Sequence, residues 1–128
     1  MADLKEKSIS LLSSTTVSLA ADADTTLYTV PTGKRCILSH AILVLGADAG
    51  TSDISIGQDG AETDFVGAID LANINAQYDC CRLAPVPVAA AGSAALEKSY
   101  AAGTVIEAQV TNHAGGATNT LYLYGMLY

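Results

Sequence analysis

The side chains that could act as nucleophiles, bases or soft metal ligands are few, and their spacing suits none of these roles. Ser39 and His40 are neighbours, so in a regular strand their side chains point to opposite faces and form no nucleophile–base pair. Cys80 and Cys81 diverge in the same way, and the chain has no CxxC or HxH pair for a zinc site. We therefore predict that the protein is not an enzyme and has no catalytic residue, no cofactor and no metal ligand.

Carboxylates are the hard ligands that the sequence groups most closely. Asp48 and Asp53 lie in one glycine-rich loop, and Asp59, Glu62 and Asp64 lie in and beside another. Loop carboxylates suit Ca²⁺, although neither loop has the alternating acidic pattern and closing Glu of an EF-hand. The alternative is that these side chains are turn-forming residues in solvent.

Composition and charge exclude several classes of partner. The 13 acidic and 6 basic residues give a net charge of −7, and no basic stripe exists, so direct binding to nucleic acid phosphates is not expected. No GxGxxG or GxxxxGK[ST] motif supports nucleotide binding, and no apolar run of about 18 residues predicts a membrane span. The three cysteines, two of them adjacent, form no disulfide framework and fit a reducing cytoplasm.

Strand patterns dominate the sequence, so we expect β-strands and their connecting turns to position any functional site. β-Branched or period-two segments alternate with turns rich in Gly, Asp, Asn and Pro. These segments are 8–20, 26–30, 36–46, 53–57, 64–71, a short strand near Tyr100, 104–112 and 120–128. The pattern predicts an all-β fold, an antiparallel β-sandwich that is jelly-roll-like, with about eight strands.

Several local features refine this fold. The run 36–46 is predicted to be a central strand buried on both sides, and Asp59-Gly60 is predicted to form a hairpin turn. Segment 104–112 should bury Ile106, Ala108 and Val110, and 113–119 should be a hairpin loop to the last strand. In the middle of the chain, Pro85 and Pro87 favour an edge strand or an extended segment. Residues 89–103 are predicted to be a loop and a short strand, with Tyr100 as an anchor before the turn at 101–103 and one helical turn as the alternative.

The final strand, TLYLYGMLY, is apolar on both faces. One face carries Leu121, Leu123, Gly125 and Leu127, and the other carries Tyr122, Tyr124, Met126 and Tyr128. A sheet with one side in water should alternate apolar with polar residues, so the tyrosine-bearing side requires cover. Tyrosine suits subunit interfaces because it combines a large apolar body with a hydroxyl. Cover by a partner subunit and cover by the N-terminal stretch of the same chain are the two alternatives.

The N-terminal stretch also carries apolar residues that need cover. We divide the chain into an N-terminal arm or edge strand, residues 1–20, and a single β-sandwich domain, residues 21–128. Ile9, Leu11 and Leu12 lie in the first of these segments. Together with Tyr122, Tyr124, Met126 and Tyr128, they are the predicted subunit interface.

Two stretches, 27–44 and 101–128, resemble small structural proteins of tailed-bacteriophage virions, of the capsid decoration (cement) type. In that family a Y-x-V-P-x-G-K turn precedes a long apolar strand, and an AGT-x-I strand, a Gly-rich loop and a terminal Y-G strand follow. The matching residues here are Tyr28, Val30, Pro31, Gly33, Lys34, Gly103, Thr104, Ile106, Tyr124 and Gly125. Residues 72–100 do not fit the family pattern.

The resemblance implies a structural protein on the capsid surface of a phage virion, assembled in the host cytoplasm. Such a protein forms a homo-oligomer, expected to be a trimer, and bridges subunits of the major capsid protein against the pressure of packed DNA. The alternative is a tail- or head-fibre-associated β-sandwich module that recognises host surface glycans. Exposed aromatic residues in loops would favour that alternative, and Phe65 and Tyr78 are the candidates. An enzyme would need Asp59, Asp64 and His113 to meet in one cleft.

Overall fold

The computed structural model describes residues 8–85 and 97–128, and within them the chain consists of strands and connecting loops. The strands are β1 (Ser10–Val17), β2 (Ala23–Thr29), β3 (Cys36–Val44), β4 (Asp53–Gln58), β5 (Ala61–Asp70), β6 (Cys80–Leu83), β7 (Ser99–Tyr100), β8 (Val105–Thr111) and β9 (Asn119–Leu127). No helix occurs in these two ranges, so the all-β prediction is confirmed. Nothing in the same ranges could cross a membrane as a long apolar helix.

The strands form two antiparallel sheets. The tyrosine sheet has the order β1-β9-β3-β6, with β7 also paired to β3, and the acidic sheet has the order β2-β8-β4-β5. Because β6 and β7 pair with opposite ends of β3, they share one strand position, and the sandwich has eight positions. Apart from the β4–β5 hairpin, each successive position lies in the opposite sheet. This order is that of a jelly roll, and it confirms the predicted fold class.

Period-two alternation fills the space between the sheets. Ile106, Ala108 and Val110 of β8 are buried as predicted, and Leu121 and Leu123 of β9 face them from the other sheet's inner side with no exposed surface. Burying one leucine side chain contributes about 1.5–3 kcal/mol, so these inner faces supply the main driving force for folding.

Two sequence-based details concern turns and are confirmed. Asp59 and Gly60 form the tight turn of the β4–β5 hairpin, with Gly60 at φ +86°. Tyr100 is 2% exposed and precedes a turn that ends at Gly103. The Tyr100 hydroxyl donates a 2.9 Å hydrogen bond to Asp64, which joins β7 of the tyrosine sheet to β5 of the acidic sheet.

The segment 113–119 is not the predicted hairpin loop. β8 pairs with β2 and β4, whereas β9 pairs with β1 and β3, so this segment carries the chain between sheets. Its glycines permit close packing of loops instead. A Cβ on Gly115 would lie 2.8 Å from the Leu19 Cβ, and one on Gly116 would lie 2.9 Å from the Ala47 Cβ. Three loops therefore meet at this end of the sandwich.

The prediction that 36–46 is buried on both sides is wrong for the outer side. Cys36, Leu38 and Leu43 on the inner side of β3 are buried, but Ile37 and Ile42 on the outer side are only half-buried. The strand is central because β9 and β6 or β7 flank it, yet no other layer of the described residues is packed over its outer side. The outer side of this sheet is thus the place to search for a site.

Two predicted regions fall partly outside the described residues. The N-terminal stretch supplies β1, an edge strand of the tyrosine sheet that pairs with β9, while residues 1–7 lie outside the described ranges. Within 89–103, β7 is the predicted short strand, and no helix occurs in 97–103. β6 is a further strand that the sequence did not predict. Residues 86–96 lie outside the described ranges.

Candidate functional site

The outer side of the tyrosine sheet carries a continuous set of apolar and aromatic side chains, here called the tyrosine face. Strand register assigns its members, because residues paired across the sheet share a side. They are Leu11, Ser14 and Thr16 of β1, Thr120, Tyr122, Tyr124 and Met126 of β9, Ile37, His40, Ile42 and Val44 of β3, Cys80 and Arg82 of β6, and Ser99 of β7. The neighbouring residues Leu121 and Leu123 point inwards and are fully buried, so the tyrosine face is the outer side of β9.

Two β-bulges shape the tyrosine face on either side of β9. Leu12 is the extra residue in β1 and Ser39 is the extra residue in β3. A bulge redirects side chains, and here it brings Ser39 to the same side as His40. The Ser39 Oγ and His40 Nδ1 atoms lie 2.9 Å apart, so the prediction that these side chains diverge is wrong. The bulge is the physical reason.

His40 is held flat against the tyrosine face. Its ring stacks on Tyr124 with the ring centres 4.7 Å apart and the planes 9° apart. Burial, together with the nearby Arg82 charge, lowers the pKa of His40. The imidazole is therefore neutral at neutral pH, and Arg82 is the one full charge among the residues of this face.

Charge is distributed unequally between the two sheets. Within the described strands of the tyrosine sheet, Arg82 is the one charged side chain and there is no carboxylate. The strands of the acidic sheet carry six carboxylates and no basic residue: Asp24, Asp53, Glu62, Asp64, Asp70 and Glu107. The acidic sheet is thus suited to solvent. The tyrosine sheet lacks the net charge that keeps a protein surface soluble and prevents association.

The predicted interface residues lie in three different settings. Tyr122, Tyr124 and Met126 are half-buried members of the tyrosine face. Ile9 is 61% exposed and Leu11 is 50% exposed, with Leu11 opposite Tyr124 in the register. These five residues form the exposed apolar part of the prediction.

Leu12 and Tyr128 differ from the other predicted residues. Leu12 is half-buried against the core and approaches Gly125, so it does not belong to the tyrosine face. Tyr128 is 44% exposed, and its hydroxyl lies 2.7 Å from the Ser99 Oγ. Its backbone pairs with Arg35, which extends the sheet by one residue beyond β9.

Sequence reasoning missed the contribution of β3 to the tyrosine face. Ile37 is a member by ordinary alternation, and His40, Ile42 and Val44 are members because the bulge at Ser39 shifts the alternation by one residue. Strict period two would have grouped His40 and Ile42 with the buried Leu38. The signal that was available is the long apolar run itself, which is too apolar for a strand with one side in water.

The acidic loops proposed for calcium use their carboxylates in other ways. Asp48 accepts a hydrogen bond from the Gly50 N–H at 2.8 Å, and Asp53 accepts one from Asn112 Nδ2 at 2.6 Å. Asp64 accepts from the Tyr100 hydroxyl at 2.9 Å and pairs with Lys98 at 3.4 Å. The Asp48 contact lies within a turn, as the alternative expects, whereas Asp53 and Asp64 bind residues that are distant in the sequence.

A different group of carboxylates converges on the acidic sheet. In the described part of the chain, carboxylate oxygens of Asp24, Glu62 and Glu107 lie within 4.8 Å of one another. They come from β2, β5 and β8, so no local sequence pattern reveals them. Burial and then the charges of Asp59, Asp24 and Glu62 raise the pKa of Glu107. Its Oε2 atom is buried and has no hydrogen-bond partner among residues 8–85 and 97–128.

Glu107→Gln is therefore expected to stabilise the protein. A raised pKa in the folded state means that ionised Glu107 opposes folding, so removing the charge should raise the free energy of unfolding by roughly 1 kcal/mol at pH 7. The gain should disappear as the pH falls to about 4, where Glu107 of the parent protein is protonated. Urea unfolding at both pH values measures this, with the exposed Glu97→Gln as control. Equal gains at both pH values would contradict the charge explanation.

Asp59, Asp64 and His113, the three residues that the sequence suggested for an enzyme, have separate partners. His113 contacts Asp22, with the Nδ1 and Oδ1 atoms 2.8 Å apart, and its backbone N–H donates to the same oxygen at 2.9 Å. Asp64 is occupied by Tyr100 and Lys98. Asp59, Asp64 and His113 therefore do not share contacts.

Comparison of the sequence with protein-family models and with curated proteins gives no match. A proposal of function therefore depends on the fold, on the chemistry of the surface and on the motif resemblance.

Proposed function

We propose that this chain is a non-enzymatic structural protein of a phage virion, a capsid decoration protein that binds its neighbours through the tyrosine face. The observation that carries this proposal is the unpartnered tyrosine face itself. It combines Tyr122, Tyr124 and Met126 with half-buried Ile37 and Ile42, and no described residue packs over it as a further layer. Aromatic residues and methionine, with few charges, are what the centres of protein interfaces contain.

The unequal charge of the two sheets supports an orientation on the particle. A decoration protein must contact the shell on one side and water on the other. The carboxylate-free strands of the tyrosine sheet suit the contact, and the six carboxylates of the acidic sheet suit solvent. The acidic net charge of −7 agrees with an outer position away from the packaged nucleic acid.

The jelly-roll order adds support at the level of the fold. Jelly rolls occur in capsid proteins and also in lectins, so the fold by itself is an analogy rather than a functional argument. The mechanism that follows is mechanical. Each copy would bury apolar surface against the major capsid protein and against other copies of itself, and separating capsid subunits would require exposing that surface again.

Self-association is expected to give a trimer and to depend on the exposed residues beside the tyrosine face. Ile9 and Leu11 are well exposed at the free edge of β1, where their removal should cost the fold little. Ile9→Ser with Leu11→Ser should weaken trimer formation about tenfold or more in sedimentation velocity, with an unchanged Tm. A parent protein that stays monomeric at high concentration and on particles alike would contradict the proposal.

Association with particles is the direct test of function. Virions from infected cells that produce the chain are separated on a density gradient, and the chain is detected by mass spectrometry. We expect the chain to co-purify with intact particles. Its release should leave the major capsid protein in place, and the particles that remain should burst at a lower temperature. Recovery only with tail fragments, or only in the free fraction, would contradict the capsid role.

A further inference from the structure

The loop between β5 and β6, residues 71–79, is held firmly although it contains no strand. Leu71 is 2% exposed and Ile74 packs against the core, so the loop is anchored from below. The Asp79 carboxylate accepts hydrogen bonds from the backbone N–H groups of Asn75 and Ala76, at 3.0 and 3.1 Å. The loop therefore presents its outer side chains from a fixed backbone.

Tyr78 is displayed by this loop in an unusual way. Its side chain is 77% exposed, more than Ile9, Leu11 or Tyr128. Its φ of +71° is in the left-handed region, which a tyrosine rarely adopts. Backbone hydrogen bonds of 2.9 Å join Tyr78 N–H to Leu45 O and Leu45 N–H to Asp79 O, and they hold that conformation. The fold thus maintains an unfavourable backbone geometry to keep an aromatic ring in water, which is typical of binding loops.

The neighbours of Tyr78 on the loop are amides. Asn73, Asn75 and Gln77 are exposed, and their side-chain amides have no hydrogen-bond partner within the described residues. An amide both donates and accepts hydrogen bonds, as a hydroxyl group does. The other exposed side chains of residues 72–78 are alanines, so within this range Tyr78 is flanked by amides and small side chains and by no charged residue.

A small cleft lies beside the first part of the same loop, where Leu71, Asn73 and Ile74 line it, whereas Asn75, Gln77 and Tyr78 do not. It has a volume of about 170 Å³, with Asp70, Asn73 and Arg82 as polar lining and Ile69 and Ile74 among its apolar lining. A carboxylate, an amide and a guanidinium at one cleft can bind neighbouring hydroxyls as donor and acceptor partners. Arg82 is the one cation there, which is too little positive charge for a phosphorylated ligand.

We infer that the 71–79 loop and its cleft bind a neutral pyranose sugar. The apolar face of the sugar ring would stack on Tyr78, and the hydroxyls would bond to the amides and to the cleft residues. Tyr78 and the loop amides lie outside the tyrosine face, and Arg82 is the one residue that the cleft shares with that face. Sugar binding at the loop does not depend on the capsid role. A glycan contact at the loop end of the sandwich could accompany either a capsid or a tail location.

The test is a titration of the ¹⁵N-labelled full chain with three neutral disaccharides, cellobiose, lactose and maltose, followed by NMR. At least one of them should shift the amide signals of residues 70–82 with a millimolar Kd. Tyr78→Phe should bind as the parent does, because stacking needs the ring and not the hydroxyl. Tyr78→Asn should weaken binding at least tenfold with an equal or higher Tm, because asparagine tolerates positive φ.

Tyr128→Ser is the matched control, since Tyr128 is also an exposed tyrosine but lies outside the loop. It should leave the sugar titration unchanged. The inference is overturned if none of the three sugars shifts the loop signals at tens of millimolar, or if Tyr78→Asn binds as tightly as the parent. Either outcome leaves the oligomer and particle experiments unaffected, so failure here is distinguishable from failure of the proposed function.

Discussion

Replacing Tyr122 and Tyr124 together by serine is expected to weaken self-association and particle binding by about 1,000-fold. Each ring is a large amphipathic side chain near the centre of the tyrosine face, and an interface tyrosine of this kind contributes about 2 kcal/mol to binding. The effect on folding should be smaller, about 1–2 kcal/mol, because the rings are half-buried and lie outside the core. Sedimentation velocity measures the first effect and urea unfolding the second.

Tyr28→Ser provides the control for this pair. Tyr28 is also half-buried, but it lies in β2 of the acidic sheet. Tyr28 packs against the core, so the control should lose at least as much folding free energy as the double variant and yet retain the parent's association constant. If the double variant loses stability and association in equal measure, or if Tyr28→Ser also dissociates the oligomer, the tyrosine face is not the interface.

The second large effect is expected at Asn119, the first residue of β9. Asn119 is 2% exposed, and its Nδ2 donates to the carbonyl oxygens of Val17 at 3.0 Å and Gly116 at 2.9 Å. Its Oδ1 accepts from the Gly46 N–H at 3.1 Å. One side chain thus ties β1, the end of β3 and the crossing segment before β9. Asn119→Leu would remove these three hydrogen bonds. Val17 is buried and Gly46 is exposed. Gly116 is half-buried, and its carbonyl also accepts from the Leu19 N–H at 2.9 Å.

We expect Asn119→Leu to lower the free energy of unfolding by about 3 kcal/mol, or about 1 kcal/mol for each lost hydrogen bond. For a domain of this size the Tm should fall by about 10 °C. Thermal unfolding followed by circular dichroism is sufficient to measure it. The control is Asn73→Ala, which removes an exposed amide without a described partner and should change the Tm by less than about 1 °C. A loss below about 1 kcal/mol at Asn119 would mean that water replaces these bonds.

Where alternation was regular, the sequence was enough to predict the fold. β8 and β9 contain no bulge residue, so period two separates the two faces of each strand correctly, and Ile106 and Ala108 could be assigned to the core. Period two does not show which face of β9 is inside, and the outward position of Tyr122 was predicted from the suitability of tyrosine for interfaces. The eight strand positions could be counted because Gly, Asp and Asn turns separate them.

Local sequence patterns do not predict where a β-bulge lies or which strands pair. Ser39 is an ordinary residue in the sequence, yet as the extra residue of a bulge it moves His40 and Ile42 to the outer side. The segment with Gly115 and Gly116 looks like a hairpin loop, and only the pairing of β8 with β2 and β4 shows that it crosses between sheets. Asp24, Glu62 and Glu107 meet through three strands that are distant in the sequence.

The pairing of β1 with β9 affects how the protein can be made. The first described strand finds its partner only after the last one has left the ribosome, so the nascent chain must keep the inner side of an unfinished sheet from aggregating throughout synthesis. Late closure of this kind predicts slow folding and a dependence on chaperones for yield. It also places the two ends of the jelly roll on neighbouring strands, where a short linker could join them and new ends could be opened in a surface loop.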